Sequence, residues 1–282
     1  MTYFQLYKNT EKTLNDSKIE NASFVALQLI LNSFNITNTK YLLNKNENAD
    51  EKGTVDLLMK IGKVVSGEPL QYVLGKWEFM GLDFFVGRGV LIPRPETELL
   101  VEKAIELIKN KKNPVIFDLC SGSGCIAISL AKNLPTAKIY AVEKSDTAIE
   151  YLLKNIKYNS IQNIIVINYD IFDGFDKVFF ENPDLIVSNP PYIKTDDIPT
   201  LEPIVKKEPC MALDGGADGY DFYRCIVQKW VNCINKSGCI AVECGDGQSS
   251  EILKMFDNNF EKTTYFNDLS GIDRVVIGKN KK

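Results

Sequence analysis

Four short stretches of this chain carry side chains able to do chemistry together. The first, "DLCSGSG", sets Asp118 before Cys120, Ser121, Gly122, Ser123 and Gly124. Glycines at a strand-to-helix turn let the backbone close on a ligand. Ala127 stands where a dinucleotide fingerprint would have its third glycine, so taken singly the stretch also reads as a tight structural turn. Glu143 lies 19 residues after Gly124, a place from which a carboxylate reaches ribose hydroxyls, or simply favours a helix start. Asp170 can accept an adenine amino proton, with Ile171 covering the ring; an Asp in a turn is its plainer interpretation. The fourth stretch is Asn189-Pro190-Pro191-Tyr192, at the end of the apolar run "DLIVS". Two prolines supply no N–H donors and cannot continue a ladder. Either they only stop the strand, or they hold Asn189 and the Pro190 carbonyl rigidly toward a ligand.

Elements that would position these stretches are legible from 114 onward. "PVIFDL", "AKIYAV", "NIIVIN", "DLIVS" and "GCIAVE" are short and apolar, and helical stretches such as "CIAISLAKNL" and "SDTAIEYLLKNIKY" separate the first three. Buried strands alternating with helices predict an α/β fold with a doubly wound, mostly parallel sheet. "KTTYF" and "DRVVIG" add a final antiparallel pair. The four stretches then fall at consecutive strand ends on one sheet edge, where ligands bind in open α/β sheets.

Residues 1–75 read as a small all-α domain. Residues 21–34 and 54–65 carry apolar residues at helical spacing, with Thr54 as the expected N-cap of the second and Gly67 and Pro69 marking its end. Residues 76–95 read as a connector containing a β-hairpin around Met80-Gly81, and Pro95 is placed to start the next helix. Residues 96–282 form the third part.

Composition narrows the function. The chain of 282 residues has a net charge of -4 and a pI near 5.2, so no global positive field draws it to nucleic acid. No run approaches the ~18 apolar residues of a membrane span, and the N-terminus lacks the features of a signal peptide; a cytoplasmic location is expected. Seven cysteines without a C-x-x-C pair read as small thiols, several of them in apolar strands (Cys120, Cys239, Cys244). There is no histidine, which excludes imidazole general bases, Ser-His and Cys-His nucleophile pairs and the usual zinc sites; no metal is expected. Against 29 lysines there are four arginines, Arg88, Arg94, Arg224 and Arg274. Positions that keep Arg in a lysine-rich chain can need its planar fork. Arg94 and Arg224 are therefore expected to brace the substrate pocket or the loop after the fourth strand, surface ion pairs being the alternative.

With these residues in view, the chain resembles class I S-adenosylmethionine-dependent methyltransferases that act on a planar nitrogen. "DLCSGSG", Glu143, Asp170 and "NPPY" carry that likeness. "GEPLQYVLGKWEFMG", "LIPRPETE", "EPCMALDGGADGYDFYR" and "VECGDGQ" extend it to the protein-glutamine methyltransferases of peptide chain release factors, over about residues 64–278. Cys120 in place of glycine, Glu143 in place of Asp and Ile171 in place of an aromatic depart from the family pattern. The resemblance implies a seven-stranded sheet and a helical N-terminal docking domain. It implies S-adenosylmethionine held by Cys120 to Gly124, Glu143, Asp170, Ile171 and Asn189, and a glutamine held by Asn189 to Tyr192 and Arg94.

Under that resemblance, the Asn189 side-chain oxygen and the Pro190 carbonyl each accept one N–H of a glutamine amide. They fix its plane and strengthen as charge develops on nitrogen, while Tyr192 packs on the amide face. No base is needed before transfer, because the proton leaves afterwards from a far more acidic species. A glutamate would put lone pairs against acceptors, a mismatch worth roughly 10⁴ in selectivity. Two alternatives stay open: a glutamine methyltransferase of a ribosomal protein, and an adenine-N6 nucleic-acid methyltransferase, which would need a basic face. A non-catalytic S-adenosylmethionine-binding module would have no use for the acceptor pair.

Overall fold

The computed structural model describes residues 1–176 and 181–282. Backbone contacts divide the chain into two units, Met1–Lys76 with Glu202–Lys207 and Trp77–Leu201 with Glu208–Lys282.

The first unit carries five helices: α1 (Tyr3–Asp16), α2 (Ala22–Ser33), α3 (Asn38–Asn44), α4 (Glu51–Val65) and α5 (Leu70–Leu74). Leu6, Leu14, Leu29, Ile30 and Leu57 bury the apolar faces of α1, α2 and α4. Helix α4 corrects the cap expected at Thr54. Asp50 is the N-cap, its carboxylate accepting from the Gly53 amide at 2.7 Å, and Thr54 lies inside the helix with its hydroxyl donating to the Asp50 carbonyl. Gly53 stays inside the helix for packing, since a Cβ there would stand 2.2 Å from the Phe34 ring.

In the hairpin, β1 (Lys76–Phe79) and β2 (Leu82–Phe85) flank Met80 and Gly81, at φ 51° and 71°. Two successive left-handed residues match the right-handed twist of the flanking strands. Helix α6 (Thr97–Ile108) begins two residues after Pro95, which sits in the preceding turn. Then follow β3 (Val115–Leu119), α7 (Cys125–Asn133), β4 (Lys138–Glu143), α8 (Asp146–Tyr158), β5 (Ile164–Asn168), β6 (Leu185–Ser188), α9 (Asp221–Cys225), β7 (Cys239–Glu243), α10 (Ser249–Asp257), β8 (Phe260–Asn267) and β9 (Asp273–Lys281). The seven strands order as β5-β4-β3-β6-β7-β9-β8. All neighbours from β5 to β7 are parallel, and β9 runs antiparallel to β7 and β8.

Alternation along each strand builds two cores. Ile116, Ile139, Ala141, Leu185 and Val187 pack with α6 and α7, whereas Phe117, Tyr140, Val142, Ile186 and Ile240 pack with Tyr223, Trp230 and Phe256. Strands buried on both faces are predominantly apolar, and Asp118 in β3 is the buried exception. All seven cysteines are free thiols; Cys239 lies in β7 as expected, whereas Cys120 and Cys244 lie just past β3 and β7 rather than in them.

A buried asparagine in mid-helix ties the hairpin to the glycine loop. The Asn155 side chain on α8 accepts from the Phe85 amide at 2.6 Å and donates to the carbonyls of Phe85 and Ser123 at 3.1 and 2.9 Å. Asn155→Leu strands three backbone groups, each costing about 1–3 kcal/mol when buried without a partner. We expect a loss of about 3 kcal/mol in urea unfolding, a discount for partial rehydration included. A loss below about 0.5 kcal/mol would show that the bonds have no structural weight.

Candidate active site

Strand order reverses between β3 and β6, and the loops leaving these two strands form the site. Strands β3 and β6 pair with Leu119 opposite Ser188, so Cys120 and Asn189 emerge side by side. The Ser188 hydroxyl donates to the Leu119 carbonyl at 2.7 Å in a fully buried bond.

The first loop turns sharply, with Cys120, Gly122 and Gly124 at φ 62°, 54° and 81°. Glycine is ordinarily preferred for such backbone; Cys120 accepts it with a side chain. The Ser121 hydroxyl donates to the Asp118 carbonyl at 2.8 Å, and the Gly122 amide donates to Glu143 Oε2 at 2.9 Å. Glu143 Oε1 accepts from the Lys144 and Ser145 amides at 2.9 and 2.8 Å. Its carboxylate is thereby fixed at the start of α8. Asp118 is fully buried, and its Oδ2 accepts from the Ala127 amide while Oδ1 has no partner among the described residues. Burial pushes its pKa up to about 8, with the hydrogen bond from the Ala127 amide pulling against it.

A cavity of about 280 Å³ opens above these loops. Cys120, Ser121, Gly122 and Ser123 line it, as do Glu143, Asp170 and Ile171, and Asn189, Pro191 and Arg94 close it. Gly124, Pro190 and Tyr192 lie outside its lining. A Cβ on Gly124 would meet Leu152 at 2.2 Å, so that glycine serves helix packing. Tyr192 instead borders a second cavity of about 460 Å³ with Lys194, Asp218 and Gly245 to Gln248. The Asp170 carboxylate accepts from the Phe172 amide and pairs with Lys144 at 2.8 Å. Ile171 is held from behind, its carbonyl accepting from Trp230 Nε1 at 2.8 Å and from the Cys225 thiol at 3.2 Å.

These residues fit an adenosine-bearing ligand. A Cβ on Gly122 would meet no protein atom within 4 Å, so the loop leaves free space where a ligand can lie against backbone. Carboxylates at Glu143 and Asp170 are acceptors, matched to ribose hydroxyls and an exocyclic amine, and Ile171 and Phe172 supply apolar cover.

At the other end, the Asn189 side-chain nitrogen donates to Thr97 Oγ1 at 3.1 Å, and the Thr97 hydroxyl donates to Glu243 Oε2 at 2.6 Å. Thr97 and Glu243 are each 2% exposed. Burial pushes the Glu243 carboxyl up to about 7, with the Thr97 bond pulling against it. Sequence reasoning passed over both residues, although they lie inside "PETE" and "VECGDGQ"; a threonine at a helix start and a glutamate at a strand end carry no distinguishing signal by type.

The loop after β6 is braced from several sides. Gln248 Nε2 donates to the Tyr192 carbonyl at 3.0 Å, and the Gly215 amide donates to the Ile193 carbonyl at 2.7 Å. Glu208, 5% exposed, pairs with Arg94 and accepts from the Ile92 amide at 2.9 Å. Arg224 is not in the cavity wall; it grips Asp218 with two bonds of 2.8 Å and pairs with Asp221. Arg274 bonds Asp268 at 3.0 Å.

Comparison with known proteins agrees with this geometry. The "Methyltransferase small domain" family matches residues 95–210, and the "PrmC N-terminal domain" family matches residues 5–75. A release factor glutamine methyltransferase of Thermodesulfovibrio yellowstonii is 40% identical over 247 residues, 86% of each chain. One from Geobacter sulfurreducens is 39% identical over 274 residues, 95% of this chain and 92% of that one. The crystal structure of a methyltransferase from Pyrococcus furiosus superposes with a TM-score of 0.51 at 17% identity, over 80% of this chain and 96% of that one. It shows the shared fold. Identity of this order along nearly the full length makes the chain a member of the release factor glutamine methyltransferase family.

Proposed function

We propose that this chain methylates the side-chain amide nitrogen of a glutamine in peptide chain release factors, with S-adenosylmethionine as methyl donor. One observation carries the reading of the acceptor end: the Asn189 nitrogen is engaged by Thr97, which leaves the amide oxygen to accept from a substrate.

When bound, S-adenosylmethionine supplies an electrophilic methyl group on a positively charged sulfur. Residues 120–123 would receive it against backbone, Glu143 would take the ribose hydroxyls, and Asp170 and Ile171 the adenine edge and face. Asn189 Oδ1 and the Pro190 carbonyl accept the two N–H bonds of the glutamine, fixing the amide plane with its nitrogen toward the sulfur. Both acceptors gain strength as nitrogen becomes positive, so they favour the transition state over the ground state. Pro191 and the braces at Ile193 and Tyr192 keep the pair stiff, and Tyr192 would cover the amide from the side of the second cavity. Membership of the family favours glutamine over an adenine amine, and favours a release factor over a ribosomal protein. Termination takes place in the cytoplasm, and that is where we place the reaction. Among the described residues no helix is long and apolar enough to cross a membrane.

The helices of the first unit are proposed as the docking surface for the body of the partner. Helix α4 presents Val55, Leu58 and Met59 to solvent, the latter two 60% and 58% exposed, and α3 adds Leu42 and Leu43. Exposed apolar side chains grouped this way mark interaction surfaces.

Asn189→Ala is expected to lower kcat for glutamine methylation by about 10²–10³-fold, the cost of removing one pre-organised transition-state hydrogen bond. S-adenosylmethionine affinity, measured by calorimetry, should stay within about threefold. Equal losses in both would remove Asn189 from the acceptor role. For docking, the double variant Leu58→Asp, Met59→Asp should raise KM about tenfold or more for intact release factor, and leave KM for a short glutamine peptide unchanged. A parallel rise for both substrates would refute the docking surface.

A further inference from the structure

Three polar side chains from separate elements stand in line behind the acceptor. Glu243 closes β7, Thr97 opens α6, and Asn189 follows β6. The bonds between them are 2.6 and 3.1 Å. Thr97 and Glu243 lie almost wholly out of water.

Counting protons fixes the direction of the chain. An ionised carboxylate only accepts, and a threonine hydroxyl has one proton. Thr97 therefore gives its proton to Glu243 and has only lone pairs left for Asn189. The Asn189 carboxamide must turn its NH2 toward Thr97, and its oxygen points the other way. The two ends of a carboxamide have nearly the same shape, so packing alone does not choose between them. We infer that Glu243, acting through Thr97, is a positioning residue that holds the Asn189 oxygen toward the substrate amide. The inference rests on the proposed reading of Asn189 as the acceptor of a substrate N–H.

A protonated Glu243 reverses the arrangement. Its O–H can donate to Thr97 Oγ1, and the Thr97 proton is then free for an amide oxygen. Asn189 would turn over and present N–H to the substrate N–H, donor against donor. No covalent bond changes; one proton on Glu243 and one rotation account for the switch.

The surroundings single out this carboxyl. Glu96, just before α6, adds to the rise in its pKa, while Arg274 on β9 and a hydrogen bond from the Asn189 side chain itself oppose it, so Asn189 answers to Glu243 directly as well as through Thr97. Cys125 of α7 and Cys244 after β7 are both pushed up to about 12 by burial. Tyr192, after β6, and Tyr223, of α9, are raised by burial as well; the Tyr223 hydroxyl donates to the Glu243 backbone carbonyl at 2.8 Å. These thiols and phenols stay protonated through neutral pH, and Glu243, near 7, changes charge there.

Three measurements test the inference on the full chain. Thr97→Val should lower kcat for a glutamine peptide by about 10²-fold, with S-adenosylmethionine affinity within about threefold, and Thr97→Ser should recover most of the loss. In the parent, kcat should fall as pH drops below about 7 with the slope of one proton. Glu243→Gln, which still offers Thr97 an oxygen, should lose that limb. NMR of the ligand-free protein gives a readout without activity. The Asn189 side-chain NH2 signals, assigned by their absence from Asn189→Ala, should shift with pH near 7 in the parent and stay fixed in Glu243→Gln. Full activity in Thr97→Val, an equal defect in Thr97→Ser, or NH2 signals indifferent to pH would each overturn the inference. Signals that titrate as expected in a protein unable to methylate any glutamine would uphold the positioning and overturn the proposed function instead.

Discussion

One buried hydrogen bond sets the spacing on which the site depends. The Ser188 hydroxyl donates to the Leu119 carbonyl at 2.7 Å, across the point where strand order reverses. Neither residue touches water, so each group would be costly without the other. The next residue along one strand opens the glycine loop, and the next along the other is Asn189. Their separation is therefore a property of the sheet, not of the loops. Transfer between two bound molecules gains most when their reacting atoms are held close and aligned, and a sheet is the stiffest element available to hold them.

Chemistry without a histidine follows from this stiffness. A neutral amide has no proton worth removing before methylation, so in the proposed reading fixed acceptors at Asn189 and Pro190 stand in place of a base. The Asn189 oxygen is set by side chains behind it, and the Pro190 carbonyl by prolines and by the braces at Tyr192 and Ile193. Glu243, almost fully buried, bears on the acceptor through Thr97 and through Asn189 itself. Its charge is held near the balance point by burial and Glu96 on one side, and by Thr97, Arg274 and Asn189 on the other.

Much of the fold is readable from sequence because parallel strands buried on both faces are short, predominantly apolar runs. "DLIVS" and "GCIAVE" announce themselves. The hairpin is readable because aromatic residues alternate on either side of Met80-Gly81. Residues missed are those whose partners lie far along the chain. Asn155 finds Phe85 some 70 positions away, and Glu243 finds Thr97 at a separation of 146; no local pattern marks either. The α4 cap lies at Asp50, ahead of Thr54, because Gly53 fits inside the helix against Phe34 at the end of α2. Arg94 and Arg224 stand out by composition, but only the fold separates a cavity wall from a loop clasp.

The segment "LDGGADGYD" covers the back of the acceptor loop with almost nothing between them. A Cβ at Gly215 would lie 2.7 Å from the Tyr192 Cα, and one at Gly219 would lie 2.6 Å from the Tyr192 carbonyl oxygen. Backbone rests directly on backbone, without a compliant side chain to absorb movement. Such a joint transmits force as a rigid lever does. A bulky residue added to this outlying loop would press on the catalytic peptide plane itself, so the loop belongs mechanically to the machinery it shields.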